Sequence, residues 1–376
     1  MSIFDTFTPR AGSGNSKWNI PEGAIPMHVA DMDFDSPPEV CRAVADRAMS
    51  GIMGYQGFTD EYYEAVINWF NTRHGVSGIT KDMFIVSPGI VTALTMSVQA
   101  LTEPGDGVIV QSPVYFPFYS AVDGNGRKTV HNDLIKTENG YRIDFDDLEK
   151  KAADASMLLL CSPHNPVGRV WTEDELNRLF EICKKNSLYI VSDEIHCDFI
   201  LEGKHHSMLE IAKGYDRLVV CTAPSKTFNI AGLSNSNIIV PDKETRDKLQ
   251  KVYRRDSIGG HNPLSMAATI AAYKYCAGWV DELNHYLKGN RDYAVERLSE
   301  HGIDAIRIEG TYLLWVDLSR YSDQPAALLK EHGLIVNEGS TFGDNGKGFV
   351  RFNLGCPREG LKKALDRLFE ILDGID

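Results

Sequence analysis

The chain has no paired cysteine motif, no basic stripe and no long apolar run, and each absence removes a class of protein. Its seven cysteines, at 41, 161, 183, 197, 221, 276 and 356, are odd in number and never spaced as CxxC. That pattern speaks against a disulfide framework and for small buried hydrophobes in a reducing, cytoplasmic compartment. Lys and Arg number 39 against 52 Asp and Glu, a formal net charge of -13. Such a balance opposes binding to nucleic-acid backbones or to anionic membrane surfaces. No apolar stretch reaches membrane-spanning length, and the start Met-Ser-Ile-Phe-Asp-Thr lacks the basic and apolar regions of a secretory signal. No internal repeat or low-complexity segment is visible. What remains is a chain of 376 residues, 43% hydrophobic, long enough for two or three packed units around a large core.

Short apolar runs at 83–86, 108–111, 157–161, 188–192 and 218–222, with 237–240 close behind, alternate with amphipathic stretches. The clearest of these is 172–185, where Thr172 is placed to cap and Glu175 stands three residues on. The alternation predicts an α/β domain with a mostly parallel sheet covered on both faces, whose ligands gather at the carboxyl ends of its strands. Residues 1–45 read as irregular and rich in Pro and Gly. From about 285 the pattern predicts a helix over 288–301, short strands near 306–308 and 312–316, a Gly-rich loop at 339–348, a strand over 349–353 and a final helix over 358–372. The expected division is a large domain over 46–284 and a smaller α+β domain built from 1–45 with 285–376.

Three consecutive strand ends carry unusual polar residues. Ser-Pro-His-Asn-Pro-Val-Gly-Arg (162–169) follows one run, Ser-Asp-Glu-Ile-His (192–196) the next, and Thr-Ala-Pro-Ser-Lys-Thr-Phe-Asn (222–229) the third. Taken singly, Asn165 is a turn residue, Asp193 a cap or ion-pair partner and Lys226 a solvated loop lysine. Taken together on neighbouring parallel strands they converge on one crevice, and one chemistry asks for that set. A lysine amine forms an imine with an aldehyde cofactor, pyridoxal phosphate (PLP), and a carboxylate keeps the ring nitrogen of that cofactor protonated. Asn165, a neutral donor, suits the ring's phenolic oxygen, and Asp193 beside a cation is expected to stay ionised. Ser87-Pro-Gly89-Ile90-Val91-Thr92 ends a strand and opens a helical pattern over 91–101. Its backbone N–H groups form an anion site for the cofactor phosphate, to which Ser225 is placed to add a hydroxyl. Tyr115, in the aromatic segment 112–119 after the next strand, offers a ring that either stacks on a flat heterocycle or packs in the core.

These residues resemble those of the fold-type I PLP-dependent enzymes, the class I/II aminotransferase superfamily, over nearly the whole chain. Within it the chain most resembles the MalY/PatB-type C–S lyases, also called cystathionine β-lyases. The resemblance rests on Ala30-Asp-Met-Asp-Phe34, Gly54-Tyr55, the three strand-end motifs, Glu309-Gly-Thr-Tyr-Leu-Leu-Trp315 and Gly348-Phe-Val-Arg-Phe-Asn353. It implies the aspartate aminotransferase-like fold, a mostly parallel seven-stranded sheet sandwiched by helices plus a smaller α+β domain. It also implies roles: Lys226 as the Schiff-base lysine, Asp193 on the ring nitrogen, Asn165 on the phenolic oxygen, Tyr115 stacked, and Gly89, Ile90 and Val91 on the phosphate. Arg351 falls on the arginine that clamps the substrate α-carboxylate, a bidentate task. Tyr55 falls on a tyrosine contributed to the phosphate site by a neighbouring subunit, so a homodimer with shared active sites is implied. Two positions depart from ordinary aminotransferases of the superfamily. Ser234 stands where those carry an arginine on the phosphate, and His196 where they often carry tyrosine; both agree with the C–S lyase branch.

The implied reaction is β-elimination. The Lys226 amine, displaced by substrate, removes the Cα proton, and a sulfur on the β-carbon leaves as thiolate. L-Cystathionine would yield homocysteine, pyruvate and ammonia, and other cysteine S-conjugates their own thiols. Transamination, the alternative, uses the same residues. A PLP-fold protein reduced to a binding role should have lost the lysine, the aspartate or the arginine, and all three stand here. Tyr119, Tyr312 and the loop 339–348 are candidates for the wall that meets the substrate side chain.

Overall fold

The computed structural model describes residues 2–138, 140–259 and 262–375. Seven strands form the principal sheet: β1 (Phe84–Ser87), β2 (Gly107–Val110), β3 (Lys128–His131), β4 (Ala155–Cys161), β5 (Tyr189–Asp193), β6 (Leu218–Thr222) and β7 (Ser236–Ile239). Their spatial order is β1-β7-β6-β5-β4-β2-β3. The pairs β3–β2, β2–β4, β4–β5 and β5–β6 are parallel, and β7 lies antiparallel between β6 and β1. Leu158 and Leu160 of β4 enter one apolar cluster, while Met157 and Leu159 enter the cluster on the opposite face. A strand covered on both sides has no polar face to show, which is why the central strands read as unbroken apolar runs. The edge strand β3, Lys-Thr-Val-His with both ends exposed, carries no such run and left no signal in the sequence.

Six helices matter for the site: α1 (Pro38–Met49), α2 (Asp60–His74), α3 (Ile90–Leu101), α4 (Glu173–Lys185), α5 (Ala277–Glu300) and α6 (Arg358–Asp373). The capping box expected at Thr172 is present, with the hydroxyl accepting from the Glu175 N–H at 3.2 Å and the Glu175 carboxylate from the Thr172 N–H at 2.9 Å. A second, antiparallel sheet combines β8 (Leu313–Asp317), β9 (Asn337–Glu338) and β10 (Phe349–Asn353) in the order β8-β10-β9. Leu287 of α5, Leu365 of α6 and Leu314 of β8 share one apolar cluster with Phe4, Met27 and Phe34 of the N-terminal segment. No helix among the described residues is long and apolar enough to cross a membrane.

Three local expectations change. The segment 1–45 is not irregular to its end, because α1 starts at Pro38, whose fixed φ and missing N–H suit a first helical turn. The helix expected over 288–301 begins at Ala277 and runs unbroken across 284–285. No strand forms at 306–308; the contact there is an isolated bridge between Ala305 and Val316.

The N-terminal segment reaches the crevice because a buried ion pair holds it. Lys17 Nζ lies 3.0 Å from Asp33 Oδ2 with both side chains almost wholly buried, and it also donates to the Asp31 carbonyl at 3.0 Å. Trp18 Nε1 donates to the other Asp33 oxygen at 2.8 Å. Removing one member of a buried pair leaves an uncompensated charge, a loss of about 3–5 kcal/mol. Lys17→Met is therefore expected to destabilise the fold by that amount in denaturant titration, and more than Lys17→Met/Asp33→Leu does.

Candidate active site

Strands β4, β5 and β6 are adjacent and in register, Cys161 opposite Asp193 and Asp193 opposite Cys221. Their ends therefore bring Asn165, Asp193 and Lys226 to one cavity. Gly89, Ile90 and Val91 line it at the start of α3, with Tyr115, His196 and Ser225. Arg351, on β10, joins through Asn165, whose Oδ1 accepts from its Nη1 at 3.0 Å. Tyr119 and Tyr55 do not line the cavity. The Tyr119 hydroxyl is engaged by Ser112 and the Phe342 carbonyl, and Tyr55 is fully exposed on the single chain.

Burial shapes the charges. Asp193 is buried, and among the described residues its carboxylate accepts one hydrogen bond, from the Ile195 N–H at 3.1 Å. Desolvation pushes its pKa up to about 7, with the neighbouring Glu194 adding to the rise and Lys226 opposing it. The chain alone thus does not hold Asp193 firmly ionised; a cation against the carboxylate is needed for that. Lys226 has its ammonium pKa lowered, chiefly by burial, with Asp31 opposing and Arg351 reinforcing the fall. His196 is pulled down to about 3 by burial and by the nearby cations, so it is a neutral imidazole, and its Nδ1 has no hydrogen-bond partner among the described residues. Arg351 is buried and drawn down to about 10 by desolvation. All its hydrogen-bond partners among the described residues are neutral: Asn165, Asn337 Oδ1 at 2.8 Å and the His28 carbonyl at 3.5 Å.

Two supports around Lys226 were not legible in the sequence. Lys226 Nζ donates to the Ala30 carbonyl at 2.7 Å, and Tyr312 Oη donates to the same oxygen at 3.1 Å. Asn229, in the left-handed region at φ 55°, accepts from the Met32 N–H and donates to the Met32 and Phe34 carbonyls, so the loop bearing Lys226 grips the N-terminal segment. Among residues other than glycine, Asn and Asp are those that most readily take this backbone geometry. Behind the lysine, the buried Asp198 accepts from Thr227 Oγ1 at 2.8 Å, Trp69 Nε1 at 3.1 Å and His74 Nε2 at 2.9 Å. A backbone carbonyl and a buried hydrogen-bond hub leave no motif to find.

The residues fit PLP. Gly89 caps α3 without a side-chain hydrogen bond, so the first N–H groups of a twelve-residue helix face the cavity as a phosphate would require. A buried carboxylate with a raised pKa suits a protonated ring nitrogen, and a lysine amine of lowered pKa suits attachment to an aldehyde.

The chain matches the family model described as aminotransferase class I and II over residues 22–368. It is 41% identical to cystathionine beta-lyase PatB of Bacillus subtilis, covering 97% of this chain and 98% of that one. Among solved structures, cystalysin from Treponema denticola, which contains PLP, superposes with a TM-score of 0.95 at 36% identity, covering 99% of both chains. The PLP-bound C–S lyase from Staphylococcus hominis superposes at 0.92 with 36% identity over 98% of both. Matched by sequence and by fold over nearly its whole length, the chain belongs to the class I and II aminotransferase family.

Proposed function

We propose that the protein is a PLP-dependent carbon–sulfur β-lyase that splits L-cystathionine or related cysteine S-conjugates into a thiol, pyruvate and ammonia. The observation that carries an amino-acid substrate is Arg351, a buried cation beside Lys226 with no acidic partner among the described residues. Its place is filled by a substrate α-carboxylate, which the guanidinium fork receives with two parallel hydrogen bonds. PLP, attached at Lys226, supplies an electron sink for the negative charge left when the substrate Cα loses a proton. Lys226 Nζ, once released, takes that proton, and its lowered pKa keeps the amine available as a base. The Ala30 carbonyl orients the amine. Among the residues lining the cavity, Asp193 would hold a proton on the ring nitrogen, Asn165 would serve the phenolic oxygen, Tyr115 the ring face, and Gly89, Ile90, Val91 and Ser225 the phosphate. Neutral His196 packs beside the site without adding charge. With the C–S bond broken the thiolate leaves, and the remaining aminoacrylate hydrolyses to pyruvate and ammonia.

Transamination is the second reading. Ser234, which lines the cavity where ordinary aminotransferases of the superfamily carry an arginine, and the names borne by the relatives at 36–41% identity, favour elimination. Purified holoenzyme given L-cystathionine and no 2-oxo acid is expected to release pyruvate and homocysteine over many turnovers; turnover only on adding a 2-oxo acid would sink the lyase reading.

The large unit is read as 46–284 and the small one as 1–45 with 285–376. The protein works in the cytoplasm as a homodimer. Cys161, Cys183, Cys197, Cys221, Cys276 and Cys356 as buried free thiols support the reducing compartment. Exposed Met49, Ile52, Met53 and Tyr55 on one stretch support a second copy covering it, with Tyr55 reaching the partner's phosphate. Lys226→Ala is expected to lose about 10²–10⁴-fold in rate, and Tyr55→Ala to bind PLP weakly. Mixing the two variants under subunit exchange should restore turnover, since one hybrid site then has both residues intact; no recovery argues against sharing.

The burial of Asp193 predicts a stability cost in cofactor-free protein. Folded, its carboxyl keeps a proton up to about pH 7, whereas its ordinary value is 3.8. The folded state then binds more protons than the unfolded one, so cofactor-free protein loses stability as pH rises from about 4 to 7, by about 1.4 kcal/mol for each pH step of one across that window. Calorimetry of cofactor-free Asp193→Asn should show a higher Tm than wild type at pH 7.5 and little difference at pH 4. PLP affinity should fall in the same variant.

A further inference from the structure

Two segments far apart in sequence meet beside the carboxylate clamp. The turn Gly339–Phe342 links β9 to β10, and the segment from Ser112 to Tyr119 follows β2. The Phe342 carbonyl accepts two hydrogen bonds, from the Val114 N–H at 2.8 Å and from Tyr119 Oη at 2.7 Å. Ser112 Oγ shares a further hydrogen bond with the same hydroxyl. Gly343 follows at φ 135°, where a Cβ would lie 2.6 Å from Ser112 Oγ and 2.9 Å from Tyr119 Oη. Glycine alone lets this contact close without displacing either oxygen.

The side chain fastened in this way is Phe342. It is wholly buried, edge-on to Trp315 at 5.6 Å, and its ring centroid stands 4.8 Å from the guanidinium carbon of Arg351. Arg351 therefore has a neutral amide on each terminal nitrogen, an aromatic ring within reach of its cation, and an Nε without a hydrogen-bond partner among the described residues.

The geometry points to Tyr119 as a positioning residue: by holding the Phe342 carbonyl it keeps the Phe342 ring against Arg351 and so sets the affinity for the substrate α-carboxylate. This rests on the reading of Arg351 as the clamp. A cation against a ring is favoured most where water is excluded, and a guanidinium braced by a ring and two amides loses little freedom when a carboxylate arrives. Without the tyrosine hydroxyl the Phe342 carbonyl keeps one of its two bonds. The ring can then shift and Arg351 can tilt away from the carboxylate. The hydroxyl does not touch the substrate in this arrangement; it acts through Phe342.

The test is a ligand titration of holoenzyme, followed by the visible spectrum of the bound cofactor, with L-alanine and with ethylamine. The two differ by the carboxylate alone. Tyr119→Phe and Gly343→Ala are each expected to weaken L-alanine by about tenfold, within the range of a desolvated cation–ring contact, and ethylamine by less than about twofold on the same scale. In an Arg351→Ala background Tyr119→Phe should add nothing. Equal weakening of both ligands, or effects of Tyr119→Phe and Arg351→Ala that multiply, would overturn the inference. Loss of L-alanine affinity in Arg351→Ala with none in Tyr119→Phe overturns this inference alone. Intact L-alanine affinity in Arg351→Ala overturns the clamp reading as well. Should Tyr119→Phe fail to fold, Ser112→Ala loosens the same hydroxyl, and the same outcomes apply.

Discussion

Desolvation of charged groups within one cavity is the constraint on which the rest of this structure depends. Burial drives Asp193 toward its protonated form and lowers the pKa of Lys226, His196 and Arg351. None of these groups would stay in place on a flexible scaffold, because each gains free energy by reaching water. Adjacent parallel strands hold the backbone at Asp193, a cluster of neutral partners holds Arg351, and the Asp198 hub anchors Thr227 beside Lys226. The cavity thus keeps Asp193 and Arg351 where burial disfavours their charged forms.

That arrangement links stability to chemistry. In the proposed function a ring nitrogen carrying a proton would satisfy Asp193, a phosphate the uncapped start of α3, and a substrate carboxylate Arg351. The groups whose burial costs the fold most are those assigned to cofactor and substrate in the proposed function, as expected where activity depends on preorganised polar groups in a water-poor setting.

Several contacts join parts of the chain that are remote in sequence. The ion pair of Lys17 and Asp33 braces the N-terminal segment, Asn229 ties that segment to the lysine loop, and the Ala30 carbonyl meets Lys226. On the other side, Phe342 meets Val114 and Tyr119. The lysine and the arginine are therefore positioned by segments that belong to neither of their own strands. Alignment between them is a property of the whole assembly rather than of one motif.

Much of this was readable from the amino-acid sequence. Unbroken apolar runs reveal strands buried on both faces, and Asn165, Asp193 and Lys226 announce themselves because polar residues recur at the ends of three such runs. The family resemblance supplied Arg351 and Tyr55, which no local pattern distinguishes. The edge strand β3 and the early start of α5 escaped, because an exposed strand and a long helix without a sharp cap leave weak periodic signals. What the sequence determined by itself was the inventory of reactive groups and the strands that carry them, since both follow from residue type and short-range spacing. Only the tertiary structure decided that Asp193 is in no ion pair among the described residues, that Lys226 leans on the Ala30 carbonyl, and that Tyr119 holds Phe342. Burial and contacts across 196 or 223 positions are set by packing, to which no local pattern of residues is sensitive.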